Sequence, residues 1–323
     1  MDFRQIPVID LEPLSDDSDA GYRQVALLFD KAYRDVGFTY ITNHGVPQDV
    51  IDAAFDASRR FHALPLIERQ KIAINEFHRG YMALATSTIV TSSVEKATRP
   101  NLSESFMMMH ELADDDPDVL AAKPLAGPNQ WPDKVPGFRE AVTRYNDTLE
   151  QLARRLTRVI TVALDIDLQE LEPWFAKPTT FLRLLHYPPQ PVDAADNQYG
   201  SAPHTDYGFI TILAQDRNGG LQVQNKAGAW IDALPIDNSF VVNIGDMTAR
   251  WTNDRWRSTR HRVINRSGGD RYSVPYFFDP HMDVMVECLP TCVSSDNPAR
   301  YEPVRYGDYL MYRLEANYDY RLG

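Results

Sequence analysis

The sequence predicts a mainly β protein with flanking helices, whose core is a closed or double-sheet architecture such as a jelly roll. Two observations support this fold class. From Thr180 onward, short apolar runs alternate with turns such as RNGG, KAG, PIDN and SGGD, at a spacing typical of such β folds. Before that point, longer segments carry apolar residues at helical spacing.

The first third of the chain alternates short strands and helices. IPVIDL is a short apolar strand, and the helix predicted within DSDAGYRQVALLFDKAYRDVG ends at Gly37. FTYITNHGV is the next strand, and Pro47 begins a second amphipathic helix. The longest predicted helix covers residues 139–165, where Val142, Leu149 and Leu156 belong to one apolar stripe. We expect that helix to brace one sheet.

The second half of the chain consists mainly of predicted strands. They are TFLRLLHY, HTDYGFITILAQ, GLQVQN, AWIDAL, SFVVNIGDM, HRVINR and RYSVPYFFD. The polar stretch at 114–136 is a predicted surface loop, and nothing marks it as a linker. We therefore predict one domain over residues 1–323, with a bracing region at 1–175, a jelly-roll core at 176–300 and a C-terminal segment at 301–323. The tail EANYDYRLG is either a lid or a frayed end.

Composition and charge restrict the classes of partner. Hydrophobic residues make up 43% of the 323 residues and charged residues 24%, the balance of an ordinary globular protein. A net charge of −12 would repel nucleic-acid phosphates and anionic lipids, so we expect neither partner. The N-terminal sequence lacks the basic region and apolar run of a secretory signal, which predicts a cytoplasmic protein. Nothing in the sequence indicates the oligomeric state.

The most informative motif is APHTDYGFITIL, in which one residue separates His204 from Asp206 at the start of a predicted strand. Residues i and i+2 of a strand project to the same face. An imidazole nitrogen and a carboxylate oxygen then supply two ligands of the 2-His-1-carboxylate facial triad of non-haem Fe(II) oxygenases. His261, 57 residues later on another predicted strand, is the candidate third ligand.

A second pair of residues strengthens this interpretation, because an H-x-D tripeptide alone is usually an exposed polar pair. Arg271 and Ser273 in RYSVPYFF form another i, i+2 pair on one strand face. Three protein ligands leave three metal positions open, two for a chelating 2-oxo acid and one for dioxygen. The guanidinium and the hydroxyl can then grip the distal carboxylate of the 2-oxo acid.

These motifs resemble the isopenicillin N synthase-like branch of the 2-oxoglutarate and Fe(II)-dependent dioxygenases. The N-terminal half contains IPVIDL, VGFTYITNHGVP and HRGYMAL, which are similar to the family's N-terminal signature. The C-terminal half contains LLHYPPQP, HTDYGFITILAQD, GGLQVQ, WIDALP, FVVNIGDMTARWTNDRWRSTRHRVIN and RYSVPYFFDP, in the family's order. The resemblance implies a distorted double-stranded β-helix, a cupin-like jelly roll, flanked by helices.

The resemblance also implies roles for individual residues. His204, Asp206 and His261 match the iron ligands, and Arg271 and Ser273 match the pair that binds the 5-carboxylate of 2-oxoglutarate. Tyr187 resembles a further co-substrate contact. Leu185 stands where the family often has asparagine, so any polar contact from that position is absent here.

The implied activity is oxidative decarboxylation of 2-oxoglutarate coupled to hydroxylation, or related C–H oxidation, of a small organic molecule. Fe(II), 2-oxoglutarate and dioxygen are the implied cofactors and co-substrates. Asp206 argues against a halogenating relative, because halide binds where this carboxylate would bind the metal. Two alternatives stay open: an Fe(II) oxidase of the same family that closes rings or desaturates without consuming 2-oxoglutarate, and a non-catalytic metal-binding jelly roll.

Other residues receive weaker assignments. Phe277, Met107 and Met109 are candidates for an apolar substrate pocket, although a core strand also explains the methionines. Trp251 and Trp256, within an arginine-rich stretch, are interpreted as framework rather than as a nucleic-acid surface. The remaining histidines lack a partner at ligand spacing or neighbour the co-substrate tyrosine, and we predict structural roles for His44, His62, His78, His110, His186 and His281.

Overall fold

A computed structural model describes residues 2–86, 99–191 and 197–317 of the chain. The elements of the N-terminal half are β1 (Val8–Asp10), α1 (Asp19–Asp35), β2 (Phe38–Thr42), α2 (Gln48–His62), α3 (Leu66–Arg69), β3 (Gly80–Met82), β4 (Glu104–Met109), α4 (Pro117–Leu120), α5 (Phe138–Leu164) and α6 (Leu168–Leu171). Those of the C-terminal half are β5 (Thr179–Tyr187), β6 (Ser201–His204), β7 (Ile210–Gln215), β8 (Leu221–Gln224), β9 (Trp230–Asp232), β10 (Phe240–Ile244), α7 (Asp246–Trp251), β11 (His261–Val263), β12 (Arg271–Asp279), β13 (Met285–Val286), β14 (Val304–Arg305) and α8 (Tyr306–Asn317).

Two sheets form the centre of the molecule. The larger has eight strands in the order β1-β2-β10-β7-β12-β5-β4-β3, and the smaller has four in the order β6-β11-β8-β9. Apolar residues of β2, β5 and β10 pack with residues of β8 and β11 in one cluster between the sheets. The predicted mainly β architecture with a jelly-roll core is confirmed.

Helices cover the other face of the larger sheet. The apolar stripe of α5 is fully buried at Val142, Leu149 and Leu156, and this helix packs against β7 and β12 as well as α1 and α2. The predicted bracing helix is therefore confirmed, with bounds within one residue of those expected. Within the described residues, no helix has the length and apolar character needed to cross a bilayer.

Strict alternation along β5 and β12 separates the two faces of the larger sheet. From Phe181 onward in β5 and throughout β12, the odd-numbered residues face the space between the sheets, and they are Phe181, Arg183, Leu185, Tyr187, Arg271, Ser273, Pro275, Phe277 and Asp279. The even-numbered Leu182 and Leu184 pack instead into the core beneath the helices. The antiparallel register pairs Arg271 with Tyr187 and Phe277 with Phe181, so these side chains form rows across the sheet.

The prediction that HTDYGFITILAQ is one strand is wrong. β6 ends at His204 in the smaller sheet, and β7 begins at Ile210 in the larger sheet. Residues 205–209 cross between the sheets, and Gly208 lies directly against Asp279, where a Cβ atom would overlap the carboxylate. The Asp279 carboxylate also accepts a hydrogen bond of 2.6 Å from the backbone N–H of Phe209.

Helices also occupy segments where the sequence analysis predicts none. They are the short α3, α4 and α6, of which α4 lies within the predicted surface loop at 114–136, and also α7 and α8. The predicted strand SFVVNIGDM ends at Ile244, and α7 follows directly, capped by Gly245. α8 forms most of the C-terminal segment, and residues 318–323 of the tail lie outside the described residues. Trp251 and Trp256 are buried, which agrees with their interpretation as framework.

Candidate metal centre

The two candidate imidazole ligands meet where two strands of the smaller sheet pair. His204 is the last residue of β6 and His261 the first of β11, and the antiparallel register places them directly opposite each other. Asp206 Oδ1 lies 3.7 Å from His204 Nε2 and 3.6 Å from His261 Nε2. These three side chains offer ligand atoms that all lie within 4.8 Å of one another.

Backbone carbonyls fix the tautomer of both imidazoles. Nδ1 of His204 lies 2.7 Å from the carbonyl oxygen of Ala202, and Nδ1 of His261 lies 3.2 Å from that of Thr259. A carbonyl oxygen only accepts, so each Nδ1 carries the proton and each Nε2 keeps its lone pair. Metal-ligating histidines are oriented in the same way by their second nitrogen.

Two polar side chains of the larger sheet hold Asp206. Its Oδ2 accepts hydrogen bonds from Thr211 Oγ1 at 2.5 Å and from Asn243 Nδ2 at 2.7 Å, which leaves Oδ1 for the imidazoles. Burial disfavours the charged carboxylate, but the neighbouring His261 and His204 and these hydrogen bonds outweigh it and lower the pKa of Asp206. The carboxylate is therefore ionised at neutral pH.

His204, in contrast to the ionised Asp206, is neutral at neutral pH. Burial lowers its pKa to about 4, and the nearby His261 acts in the same direction. Neutral His204 presents its Nε2 lone pair beside an ionised carboxylate oxygen, with His261 Nε2 on the other side. Two imidazole nitrogens and one carboxylate oxygen on one side of a metal are the ligand set of the Fe(II) facial triad, so these residues could hold that ion.

Arg271 lies buried in the same cavity with unused hydrogen-bonding capacity. Its Nε donates to the carbonyl of Gly219, and its Nη1 donates to Ser273 Oγ at 3.3 Å. The guanidinium carbon lies 4.7 Å from the centroid of the Tyr187 ring. Nη2 has no hydrogen-bond partner among the described residues, and those residues supply no carboxylate for an ion pair. A buried guanidinium with an unsatisfied N–H and no counter-charge is suited to binding the carboxylate of a ligand.

One cavity of about 160 Å³ connects these groups. The metal-centre residues and Arg271, Ser273 and Tyr187 line it together with Phe277 and Met107, two of the predicted pocket residues. Met109 is fully buried one row further along β4 and lines a separate cavity with His110 and Met282. The structure therefore brings together all the predicted site residues except Met109.

The C-terminal helix forms another wall of the cavity. Leu310, Leu314 and Asn317 of α8 all line it. Arg313 anchors the helix, because its Nη1 lies 2.6 Å from Asp246 Oδ2 and its guanidinium carbon lies 4.1 Å from the centroid of the Tyr207 ring.

Sequence reasoning overlooked several residues of the site. Thr211 and Asn243 orient Asp206, and Arg183 and His78 line the cavity. Two of them carried a signal, because Asn243 and Arg183 are polar residues within the apolar runs FVVNI and FLRLL. His78 carried no such signal.

A second group of possible ligands has a different character. Asp118, His281 and Asp283 also bring donor atoms together. However, Lys123 lies 2.8 Å from Asp118 and 2.5 Å from Asp283, and Lys177 pairs with Asp118 as well. These carboxylates already have protein counter-charges, whereas Asp206 has none from lysine or arginine among the described residues.

Comparisons with known proteins agree with this site. Residues 6–134 match the family model described as the non-haem dioxygenase in morphine synthesis N-terminal domain, and residues 178–280 match the 2OG-Fe(II) oxygenase superfamily. The 2-oxoglutarate-Fe(II) type oxidoreductase hxnY of Emericella nidulans is 34% identical over 97% of this chain and 90% of its own. Homoarginine-6-hydroxylase of Arabidopsis thaliana is 34% identical over 98% of both chains.

A solved structure gives the same result. A full-length Neurospora crassa protein, crystallised in complex with alpha-KG and thymine, superposes with a TM-score of 0.85 and 30% identity, over 96% of both chains. The metal-ligand geometry, the two family models and these relatives agree. The chain belongs to the 2OG-Fe(II) oxygenase superfamily and is a 2-oxoglutarate- and Fe(II)-dependent dioxygenase.

Proposed function

We propose that His204, Asp206 and His261 hold the catalytic Fe(II), and that Arg271, Ser273 and Tyr187 bind the 5-carboxylate of 2-oxoglutarate. The observation that carries this proposal is the convergence of His204 Nε2, His261 Nε2 and Asp206 Oδ1 in one cavity with the unsatisfied Nη2 of Arg271. The donor set suits iron, and the guanidinium suits a dicarboxylic co-substrate.

Each residue has a definite task in this proposal. Bound Fe(II) supplies the coordination positions at which dioxygen and the 2-oxo acid react. Asp206 offers one oxygen to the metal because Thr211 and Asn243 occupy the other. Arg271, held by its bond to the Gly219 carbonyl, fixes the distal carboxylate and thereby the direction from which the 2-oxo acid reaches the metal.

The rest of the cavity accommodates the primary substrate. Phe277 and Met107 line it from the larger sheet, and Leu310 and Leu314 line it from α8. Such an apolar wall keeps water from the reacting carbon and suits a small organic molecule. We infer that the reaction is hydroxylation or a related C–H oxidation of that molecule.

We further propose that residues 1–323 act as one catalytic domain in the cytoplasm. Phe38 from β2, Met107 from β4 and Leu310 from α8 line the same cavity as the jelly-roll residues. All three predicted regions of the chain therefore contribute to it. Removing the bracing region or the C-terminal segment is expected to abolish substrate binding.

The test is anaerobic addition of Fe(II) and then 2-oxoglutarate to the full chain. We expect a metal-to-ligand charge-transfer band, followed by succinate formation when air is admitted. Absence of both would overturn the assignment of these residues.

The same experiment separates the two alternatives. An oxidase that does not use 2-oxoglutarate would form product without stoichiometric succinate. A non-catalytic metal protein would unfold on metal removal, and Fe(II) would restore its fold without oxygen consumption.

A further inference from the structure

Arg183 is a charged residue in the middle of the apolar run FLRLL of β5, and it faces the cavity of the metal centre. It lies on β5 between Phe181 and Leu185, which face the same side, and it pairs in register with Met107 of β4. Its neighbours along the strand, Leu182 and Leu184, are completely buried on the opposite face. A cation at this position needs a physical reason, because partial burial of a guanidinium in an apolar setting carries a desolvation cost.

The contacts of Arg183 satisfy only part of its guanidinium. Nη2 donates to Ser105 Oγ at 3.0 Å and approaches Met82 Sδ at 3.8 Å. Nε is buried and has no hydrogen-bond partner among the described residues. No carboxylate within those residues forms an ion pair with Arg183, and its hydrogen-bond partners there are a neutral hydroxyl and a thioether.

The carboxylates that line the same cavity or lie on the paired strand β4 are engaged elsewhere. The free oxygen of Asp206 faces the metal centre, and Asp279 accepts hydrogen bonds from Tyr306 Oη at 2.7 Å and from the backbone of Phe209. Glu104, on the neighbouring β4, pairs with Arg69 and with His186. None of these carboxylates neutralises Arg183.

The balance of charges in the cavity, with the metal ion and 2-oxoglutarate bound, also points to Arg183. Asp206 and the two carboxylates of 2-oxoglutarate together offset a divalent metal ion and Arg271. Arg183 is then left without a counter-charge. A monoanionic group on the primary substrate would supply it, and would also accept from the unused Nε.

The position of Arg183 suits a substrate anchor. β5 lies two strands from β7, whose Thr211 holds Asp206, and this corresponds to about 10 Å across the sheet. Phe181 and Phe277 line the cavity one row away, on the side of Thr211. An anion bound at Arg183 would therefore extend its carbon skeleton over an aromatic wall toward the metal centre.

We propose that Arg183 anchors the primary substrate by its carboxylate, so that the substrate is a small organic acid. This inference rests on the proposed function and names the substrate class of the same site. It also makes Arg183, rather than the metal ligands, the residue that selects acids over their neutral analogues.

The experiment uses the full chain loaded anaerobically with Fe(II) and 2-oxoglutarate. Benzoate, phenylacetate, 3-phenylpropionate and hexanoate are each compared with the corresponding primary amide, which keeps the shape and removes the charge. Binding is followed by perturbation of the charge-transfer band and, independently, by the shift in melting temperature. We expect at least one acid to bind about 10- to 100-fold more tightly than its amide, the range expected for a lost charged hydrogen bond.

Variants identify the residue responsible. Arg183→Gln is expected to bind acid and amide equally, and Arg183→Lys to recover part of the preference because it keeps the charge. Arg217→Gln removes an exposed arginine paired with Asp237 and is expected to discriminate as the wild type does.

The outcomes separate the two proposals. A wild-type charge-transfer band combined with equal binding of every acid and its amide would overturn this inference alone. An unchanged acid preference in Arg183→Gln would do the same. Absence of the charge-transfer band in the wild type would overturn the proposed function and this inference with it.

Discussion

His204 and His261 face each other across two paired strands, with their ring centroids 4.2 Å apart although 57 residues separate them in sequence. The pairing of β6 with β11 shifts register between His261 and Val263. A one-residue slip of a strand turns every side chain to the opposite face. The irregular pairing therefore matters to the metal centre, because it sets which residues stand opposite each other at the end of β6.

The first prediction concerns the third ligand. His261→Ala removes one of three donors, so we expect the purified protein to retain little iron after anaerobic loading and desalting. His281→Ala is the matched control, since His281 also lies between two carboxylates but those are paired with lysines. Equal iron stoichiometry in His261→Ala and the wild type would contradict the assignment.

The second prediction concerns the orientation of Asp206. Thr211→Val removes one of the two hydrogen bonds to Oδ2 while nearly preserving side-chain volume. Loss of such an orienting partner weakens metal affinity by about 10- to 100-fold. Titration with Fe(II) under anaerobic conditions measures this change. Thr157→Val, which removes a hydroxyl bonded to Ala153 within α5, should leave the affinity unchanged.

The third prediction concerns the co-substrate. Arg271→Gln is expected to raise the KM for 2-oxoglutarate by about 10- to 100-fold, because charged hydrogen bonds are lost. 2-Oxopentanoate, which lacks the distal carboxylate, should be used equally poorly by the variant and the wild type. Arg262→Gln serves as the control, since Arg262 stacks on Trp230 outside the cavity. If Arg271→Gln still preferred 2-oxoglutarate over 2-oxopentanoate, the proposed contact between Arg271 and the distal carboxylate would be refuted.

The fourth prediction concerns the pH dependence of stability. Burial raises the pKa of Asp279 to about 7. The native carboxyl therefore holds a proton between about pH 4 and pH 7 that the unfolded chain has released, so its contribution to stability is lost as the pH rises through 7. Between pH 5 and pH 8 the loss amounts to about 2–3 kcal/mol.

Asp279→Asn removes this titration. Urea unfolding in the presence of EDTA at pH 5 and pH 8 should show a smaller decrease in unfolding free energy than in the wild type. Asp237→Asn, at an exposed carboxylate, should behave as the wild type. Identical pH dependence in Asp279→Asn and the wild type would exclude Asp279 as the source.

Local periodicity was sufficient to predict several parts of the fold and the site. The stripe of Val142, Leu149 and Leu156 predicted α5, since burial of one helix face imposes that spacing. The i, i+2 spacing predicted that Arg271 and Ser273 share a strand face. These features depend only on neighbours along the chain.

Features that depend on distant contacts could not be predicted in this way. The same i, i+2 argument failed for His204 and Asp206, because the chain leaves one sheet after His204. Gly208 within the apparent strand was the available signal, since a glycine inside a strand pattern often marks close backbone approach. Its partner Asp279 lies 71 residues further along the sequence.

α8 supplies three cavity-lining side chains from a short segment that provides none of the proposed metal or co-substrate contacts. Selectivity can therefore diverge between relatives that keep identical iron chemistry. Replacing residues 306–317 with the corresponding helix of another member of the superfamily would change this wall of the cavity in a single step. Efforts to alter substrate selectivity should therefore begin with α8.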